Sequence, residues 1–160
     1  MHFKRMGILG YLVILFLLPV VAPGQEGKAP TAKEWIDKAM LFREAGDPRA
    51  SEIFQQAVLA LNDYLTGREV DTRRRAQAYS LRARCHNFLG NNEQAILDLN
   101  ESIRLAPEDS DTYYLRSFVR ELMGHRQLSL ADLETAAQMG NEKAQGELRS
   151  KEFNKDHLKP

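Results

Sequence analysis

The feature that most constrains the fold is an internal repeat whose unit spans residues 76–109. When this unit is laid over residues 110–143, which follow it directly, identical residues fall in register along its length. Six of the identical pairs are Tyr79 and Tyr113, Leu81 and Leu115, Arg82 and Arg116, Gly90 and Gly124, Asp98 and Asp132, and Leu99 and Leu133. A fixed period of this length is typical of repeat proteins, in which each unit buries its apolar face against the next.

Small residues and glycines indicate that each repeat is a pair of antiparallel helices. Gly90 and Gly124 are placed to supply the left-handed turn that ends the first helix of a pair. Two helices approach closely only where small side chains face each other, so we expect Ala83 to lie opposite Ala95. The equivalent pair in the next repeat is Ser117 and Ser129.

An earlier hairpin is predicted from residue 32 onward. Its first helix carries an apolar face and ends at Gly46, and Asp47 is predicted to cap a second helix that begins at Pro48. The predicted apolar positions are Trp35, Ala39 and Phe42, followed by Ile53, Phe54, Ala57, Val58 and Leu61. The offset from Trp35 to Tyr79 is longer than the offset from Tyr79 to Tyr113, which predicts an extended helix end and a loop around Gly67.

The N-terminal segment predicts export or membrane attachment. Lys4 and Arg5 precede an apolar run at residues 6–21, and small residues follow at Ala22 and Gly24. A run of this length is short for a spanning helix, which needs about 20 residues. We therefore interpret residues 1–24 as a cleavable signal peptide; an uncleaved anchor that contacts the membrane through residues 6–22 is the alternative. Residues 25–31 are predicted to be a flexible linker.

Charge and composition disfavour nucleic-acid binding. The chain has 22 Lys and Arg residues against 22 Asp and Glu residues, so its formal net charge is zero. The basic run Arg73, Arg74 and Arg75 is offset by Glu69 and Asp71, and it is interpreted as a solvated helix edge. No nucleic-acid partner is predicted.

Candidate catalytic and metal-binding residues are sparse. The four histidines are scattered, and no pair has metal-ligand spacing. Cys85 has no organised base near it in the sequence, and His86 stands at a packing position. We therefore predict no enzyme activity, no metal and no cofactor.

Residues 32–141 resemble the tetratricopeptide repeat. The second copy matches its pattern at Tyr79, Arg82, Ala83, His86, Leu89, Gly90, Ala95, Leu99, Ser102 and Pro107. The third copy matches at Tyr113, Arg116, Ser117, Arg120, Met123, Gly124, Ser129, Leu133 and Ala136. The first matches at Trp35, Lys38, Ala39, Phe42, Gly46, Ala50, Phe54 and Ala57, and it lacks the closing proline. Residues 136–145 also resemble a Sel1-type repeat boundary.

The resemblance implies an all-α, right-handed superhelical solenoid of helical hairpins. The expected domain covers residues 32–157, with repeats at about 32–65, 76–109 and 110–141. A capping helix at 142–157 would bury Ala144, Leu148 and Phe153. The resemblance implies a non-catalytic module that binds a peptide or a partner helix, and the N-terminal segment predicts that this module is exported, periplasmic or extracellular. A structural or self-associating subunit of a cell-envelope assembly, including a homo-oligomer, is the alternative.

In this architecture the first helices line the concave groove, and the matching positions are the candidate binding residues. They are Lys33, Met40, Arg43, Gln77, Arg84, Asn87, Asp111, Tyr114, Phe118 and Glu121, with Ile36 and Ser80 on the same faces. Tyr114 and Phe118 are one turn apart and are expected to present adjacent aromatic faces, unless the C-terminal helix covers Phe118. The Lys and Asn set with which chaperone-binding relatives hold a terminal carboxylate is not rebuilt at these positions.

The repeated Arg and Asp positions predict ion pairs between helices. Asp98 follows Arg82 at the same offset at which Asp132 follows Arg116. A buried arginine without a partner would cost several kcal/mol, so the recurrence of the acid favours a structural pair. Two exposed charges are the alternative.

If the leader is removed, the mature chain begins near Gln25. We expect intact-mass measurement of the protein from its native host to give a chain that lacks residues 1–24. A mass that retains these residues would identify the segment as an anchor.

Overall fold

The computed structural model describes residues 31–67 and 71–157, with side chains through residue 151. The predicted leader and all of the predicted linker except Thr31 lie outside the described residues. The described residues form seven α-helices: α1 Ala32–Glu44, α2 Arg49–Thr66, α3 Thr72–Phe88, α4 Asn92–Leu105, α5 Ser110–Leu122, α6 Arg126–Gln138 and α7 Glu142–His157. Among them, none is both long and apolar enough to cross a membrane.

Consecutive helices pair into hairpins that stack in chain order. Helices α1 and α2, α3 and α4, and α5 and α6 make the most extensive contacts, and α2, α4 and α6 each contact the helix that follows. Helices one repeat apart also touch, α1 with α3 and α3 with α5, so the odd-numbered helices share one side of the stack. The all-α helical-repeat prediction is therefore confirmed.

Helix ends follow local chemistry at both termini. At the start of α1, the Thr31 hydroxyl accepts from the backbone N–H of Glu34, and the Glu34 carboxylate accepts from the backbone N–H of Thr31 at 2.6 Å. Gly90 and Gly124 have φ angles of 79° and 78°, which confirms the predicted left-handed turns. A side chain at these angles would be strained, so glycine is required to reverse the chain between helices.

The start of α2 differs by one residue from its prediction. The helix begins at Arg49, and Pro48 precedes it as the N-cap without a side-chain hydrogen bond. Asp47 still serves the helix, since its Oδ1 accepts from the Arg49 backbone N–H at 2.9 Å. At the other end α2 continues to Thr66 and stops at Gly67, as the longer spacing predicts.

Small buried residues hold the hairpins together. Ala83 and Ala95 are fully buried in one cluster with Leu99, and Ser117 and Ser129 are buried in the next hairpin. The first hairpin has a larger apolar core, in which the Phe54 ring stacks on Phe88 at 4.7 Å between centroids.

Helix α7 caps the stack through Asn141. Its Oδ1 accepts from the Ala144 backbone N–H at 3.1 Å, and its Nδ2 donates to Asp111 Oδ1 at 2.7 Å, which ties the start of α7 to α5. Ala144 is fully buried and Leu148 packs beside it on the Leu133 cluster. The side chain of the third predicted capping residue, Phe153, lies outside the described part of α7.

Two arginines each join three helices. Arg82 on α3 donates from Nε and Nη2 to the Asp98 carboxylate on α4, at 2.8 and 2.5 Å, and from Nη1 to Asn62 Oδ1 on α2, at 2.7 Å. The Asp98 side chain is only 8% exposed. Bidentate geometry of this kind is the strong form of an Arg–carboxylate contact.

The next repeat has the same bridge with one more cation. Arg116 donates to Asp132 at 2.8 and 2.7 Å and to Asn100 Oδ1 at 2.8 Å. Arg120, one turn further along α5, also donates to Asp132, at 2.6 Å. Asp132 therefore compensates two guanidinium groups, whereas Asp98 pairs only with Arg82 among the residues that the structure describes.

We expect Asp98→Ala to lower the free energy of unfolding by about 3 to 5 kcal/mol, because the half-buried Arg82 would lose its counter-ion. Asp132→Ala should cost more, since it strands both Arg116 and Arg120. Urea denaturation followed by circular dichroism measures both losses.

The matched control is Asp37→Ala, which removes an exposed carboxylate that pairs with Lys33 at 3.4 Å. Its effect should stay within about 0.5 kcal/mol. Equal effects of Asp37→Ala and Asp98→Ala would contradict a structural role for the bridge.

Candidate functional site

A cleft of about 850 Å³ lies between α3 and α5 on the side shared by the odd-numbered helices. The loop at residues 106–110 and the first turn of α7 border it. Helix α3 lines it with residues spaced by three and four along one face, namely Arg73, Gln77, Ser80, Leu81, Arg84, Asn87 and Phe88. Helix α5 contributes Asp111, Tyr114, Leu115 and Phe118.

Six of the ten predicted groove residues line this cleft. They are Gln77, Arg84, Asn87, Asp111, Tyr114 and Phe118. The other four, Lys33, Met40, Arg43 and Glu121, do not border it. The four residues predicted to form ion pairs, Arg82, Asp98, Arg116 and Asp132, join the helices as described above.

The residues of α1 lie outside the cleft because they contact the first hairpin and its neighbour. Lys33 pairs with Asp37, Met40 packs against the apolar core, and the Arg43 guanidinium lies over the Phe88 ring at 4.6 Å. The expectation that Ile36 faces the groove is wrong, since Ile36 is 3% exposed and belongs to the core.

The two aromatic residues of α5 have different environments. Phe118 is 50% exposed. Tyr114 packs on the Leu133 cluster, and burial together with the charge of Glu147 on α7 and a hydrogen bond to it raises the pKa of the Tyr114 hydroxyl. The C-terminal helix therefore covers part of Tyr114, and Phe118 is the aromatic side chain that the cleft leaves available.

Two basic residues of the cleft are absent from the sequence prediction. Arg73 lines the cleft, while Arg74 pairs with Asp71 at 3.2 Å and Arg75 donates to the Gly67 carbonyl at 3.0 Å. Arg73 lies one turn before Gln77, so helical spacing alone would have extended the predicted face to it. Lys143 reaches the cleft from α7, and no spacing within a repeat predicts that.

Comparison with known families is decisive for the hairpin formed by α3 and α4. The family model described as tetratricopeptide repeat matches residues 76–109. This hairpin matches the tetratricopeptide repeat.

Solved structures share the fold at low sequence identity. The first tetratricopeptide repeat domain of Spaghetti (RPAP3), bound to an HSP90 peptide, gives a TM-score of 0.56 at 17% identity over 75% of this chain and 89% of that one. A crystal structure of MamA gives 0.52 at 18% identity over 68% of this chain, which spans 58% of that chain's length. A second MamA structure gives 0.52 at 16% identity over 81% of this chain and 77% of that one. A search of curated proteins finds no match.

The cysteine of the matched repeat is buried. Cys85 is fully covered, and burial raises the pKa of its thiol to about 12. A thiol with that pKa carries almost no thiolate near neutral pH, and thiolate is the nucleophilic form. Within the described residues, no group of His, Cys, Asp and Glu is arranged to hold a metal ion.

His86 occupies the position in its repeat that Arg120 occupies in the next. Its Nδ1 atom is buried and has no hydrogen-bond partner among the described residues. Burial lowers the pKa of the imidazole, the Asp98 charge opposes that shift, and the Arg82 charge adds to it. The position accepts Phe42 in the first repeat, so the ring serves packing there.

The lowered pKa of His86 makes stability depend on pH. Below about pH 6.5 the unfolded chain binds a proton at this residue more readily than the folded chain, so stability falls as the pH drops through that value. We expect His86→Phe to keep the ring and to reduce the loss of stability between about pH 7.5 and pH 5.5. Urea midpoints at the two pH values measure the difference.

His125→Phe, an exposed substitution in the next repeat, is the matched control and should retain the wild-type dependence. If the stability of His86→Phe falls as much between the two pH values as the stability of the wild type, the assignment of this pH dependence to His86 is wrong.

Proposed function

We propose that this protein is an exported, non-catalytic interaction module that binds a peptide or a partner helix in the cleft between α3 and α5. The observation that carries the proposal is the cleft itself, an open volume of about 850 Å³ at the inner side of a stacked-hairpin fold. Both faces of the cleft are helical, so a ligand would meet side chains held at fixed spacing.

The side chains in the cleft suit peptide recognition. Gln77, Arg84 and Asn87 offer donors to carbonyl groups along one face of α3, and Phe118 offers a half-exposed ring on α5. Aromatic anchors bordered by polar groups carry most of the binding energy in protein interfaces. The peptide-bound RPAP3 repeat domain supports the proposal, since it has the same fold and binds a peptide.

A binding role agrees with the chemistry of the described residues. The thiol of Cys85 is buried, and burial raises its pKa. Burial lowers the pKa of the His86 imidazole, while the charge of Asp98 opposes that shift and the charge of Arg82 adds to it. Neither group lines the cleft. We therefore assign the cleft to ligand binding and not to catalysis by Cys85 or His86.

Export rests on the sequence of residues 1–24. We propose that this apolar leader directs the domain to the periplasm or the exterior, with retention as a membrane anchor as the alternative. The domain would then meet its partner outside the cytoplasm.

Self-association is the second candidate function, and exposed leucines favour it. Leu59, Leu97 and Leu128 lie on the even-numbered helices and are 59%, 62% and 52% exposed. If they mediate assembly, light scattering of the protein should give an oligomer that dissociates in Leu97→Asp. A monomer at all concentrations would exclude this function.

We expect Phe118→Ala to abolish partner capture in pull-downs from the native compartment. Loss of a central aromatic anchor costs about 2 kcal/mol or more, which is a fall in affinity of roughly 30-fold. Circular dichroism should show unchanged helicity, because Phe118 is half exposed and contributes little to the packing of the core.

Leu41→Ala is the matched control, since it also truncates an exposed apolar side chain but lies outside the cleft. It should capture the same proteins as the wild type. Partner recovery that is unchanged in Phe118→Ala would show that binding does not use the cleft. Tyr114→Ala is a poorer probe, because Tyr114 also packs under α7.

A further inference from the structure

Only one of the two aromatic rings that α5 places beside the cleft is open to a ligand. Tyr114 and Phe118 are one turn apart, and both line the cleft. Phe118 is 50% exposed, whereas Tyr114 packs against the cluster of Leu133, Ala136 and Ala144. Because Ala144 belongs to α7, part of the Tyr114 surface is lost to that helix.

The second half of α7 adds to this cover. Leu148 packs against the same cluster as Tyr114. Burial, the charge of Glu147 and a hydrogen bond to it raise the pKa of the Tyr114 hydroxyl, and the charge of Lys151 opposes that shift. Moving Glu147 and Leu148 away would therefore uncover more of the Tyr114 ring.

The first half of α7 is fixed to the two helices before it. Asn141 accepts from the Ala144 backbone N–H at 3.1 Å and donates to Asp111 on α5 at 2.7 Å. The Gln145 side chain donates to the Ala137 carbonyl on α6 at 3.0 Å. These contacts hold the start of α7 in place.

The second half of α7 has fewer ties to the rest of the domain. Leu148 is half-buried, and Arg149, Ser150 and Lys151 are exposed. The ion pair of Lys151 with Glu147, at 3.0 Å, lies within α7 and does not join it to another helix. This half of the helix can therefore separate from the domain at lower cost than the first half.

A glycine stands between the two halves. A Cβ at Gly146 would meet no atom within 4 Å, so packing does not require glycine there. The backbone does not require it either, since Gly146 is not among the glycines with positive φ. Alanine favours the interior of a helix over glycine by about fourfold in the equilibrium. Gly146 therefore weakens α7 without a gain in packing, and such departures from local preference are expected at functional sites.

We propose that residues 147–157 form a strap that covers part of Tyr114 and moves away about Gly146 when a peptide enters the cleft. Opening places the Tyr114 ring beside Phe118 as a second contact surface for the peptide. The closed strap lowers the affinity, because only the open fraction of the protein presents both rings. This inference rests on the proposed peptide-binding function.

Native-state hydrogen exchange of the full chain tests the opening without a ligand. The strap amides should exchange faster than the amides of α5 and α6, because the strap opens locally. Gly146→Ala should slow the exchange of residues 147–151 by about fourfold, since residue 146 leaves the helix when the strap opens. Exchange that is no faster than that of α5 and α6, or that Gly146→Ala leaves unchanged, would overturn the strap.

The probes for binding are peptides selected from a random library by the wild-type protein and kept only if Phe118→Ala fails to bind them. Gly146→Ala should bind these peptides about fourfold more weakly, because it stabilises the closed strap. Leu148→Ala should bind them roughly fivefold more tightly, because it removes an apolar contact of the strap and lies outside the cleft.

Gln55→Ala is the matched control for Gly146→Ala. It also favours helix, but it lies at an exposed position of α2 outside the cleft. It should change neither the affinity for the selected peptides nor the exchange of the strap amides.

The effect of a bound peptide on exchange distinguishes a strap that opens from one that closes over the ligand. Binding should make the strap amides exchange faster. Slower exchange on binding, or affinities of Gly146→Ala and Leu148→Ala equal to that of the wild type, would overturn the strap and leave peptide binding in place. A library that yields no peptide dependent on Phe118 would overturn the proposed function together with the strap.

Discussion

The arginine bridges are the interactions on which the stacking of this solenoid most depends. A hairpin alone needs only small residues at its contact, but neighbouring hairpins must also be held in register. Arg82 and Arg116 do this because each fork reaches a carboxylate in its own hairpin and an asparagine in the preceding one. A planar guanidinium with five donors can satisfy both partners at once, which an ammonium group cannot do with the same geometry.

The bridges and the cleft use different arginines. Asp98 and Asp132 on the even-numbered helices compensate the arginines of the packed hairpins. On the cleft side of α3, Arg73 and Arg84 are left without counter-ions in the described residues. The cleft is nevertheless mixed in sign, because three carboxylates, Glu108, Asp109 and Asp111, line it together with these arginines and Lys143.

Much of the fold was predictable from the sequence because the repeat encodes local geometry. Gly90 and Gly124 determine where the chain reverses, and the repeated Arg and Asp are recognisable from their common offset. The asparagines are different, since the offset from Asn62 to Asn100 matches none of the offsets that relate one repeat to the next. Asn62 accepts a hydrogen bond from Arg82 because the longer helix α2 packs against α3. A contact of this kind cannot be predicted from a sequence offset.

The candidate site was less predictable because its limits depend on tertiary contacts. Helical spacing identifies one face of α3 and α5 but not which aromatic side chain α7 covers. Tyr114 is partly covered through Glu147, and Phe118 stays exposed, although the two are a single turn apart. Ile36 shows the same limitation at the other end of the domain, since the first hairpin buries it in the core.

The first repeat differs from the other two in what holds it. Where the later repeats have Arg and Asp, the first has Lys38, whose ammonium lies over the Trp35 ring at 5.6 Å, and Phe54, which is buried in the core and stacks on Phe88 of α3. The first hairpin is therefore held mainly by apolar burial, and the later two are held in part by ion pairs. Hydrophobic stabilisation weakens on cooling, so at low temperature the first hairpin loses more of what holds it than the later hairpins lose.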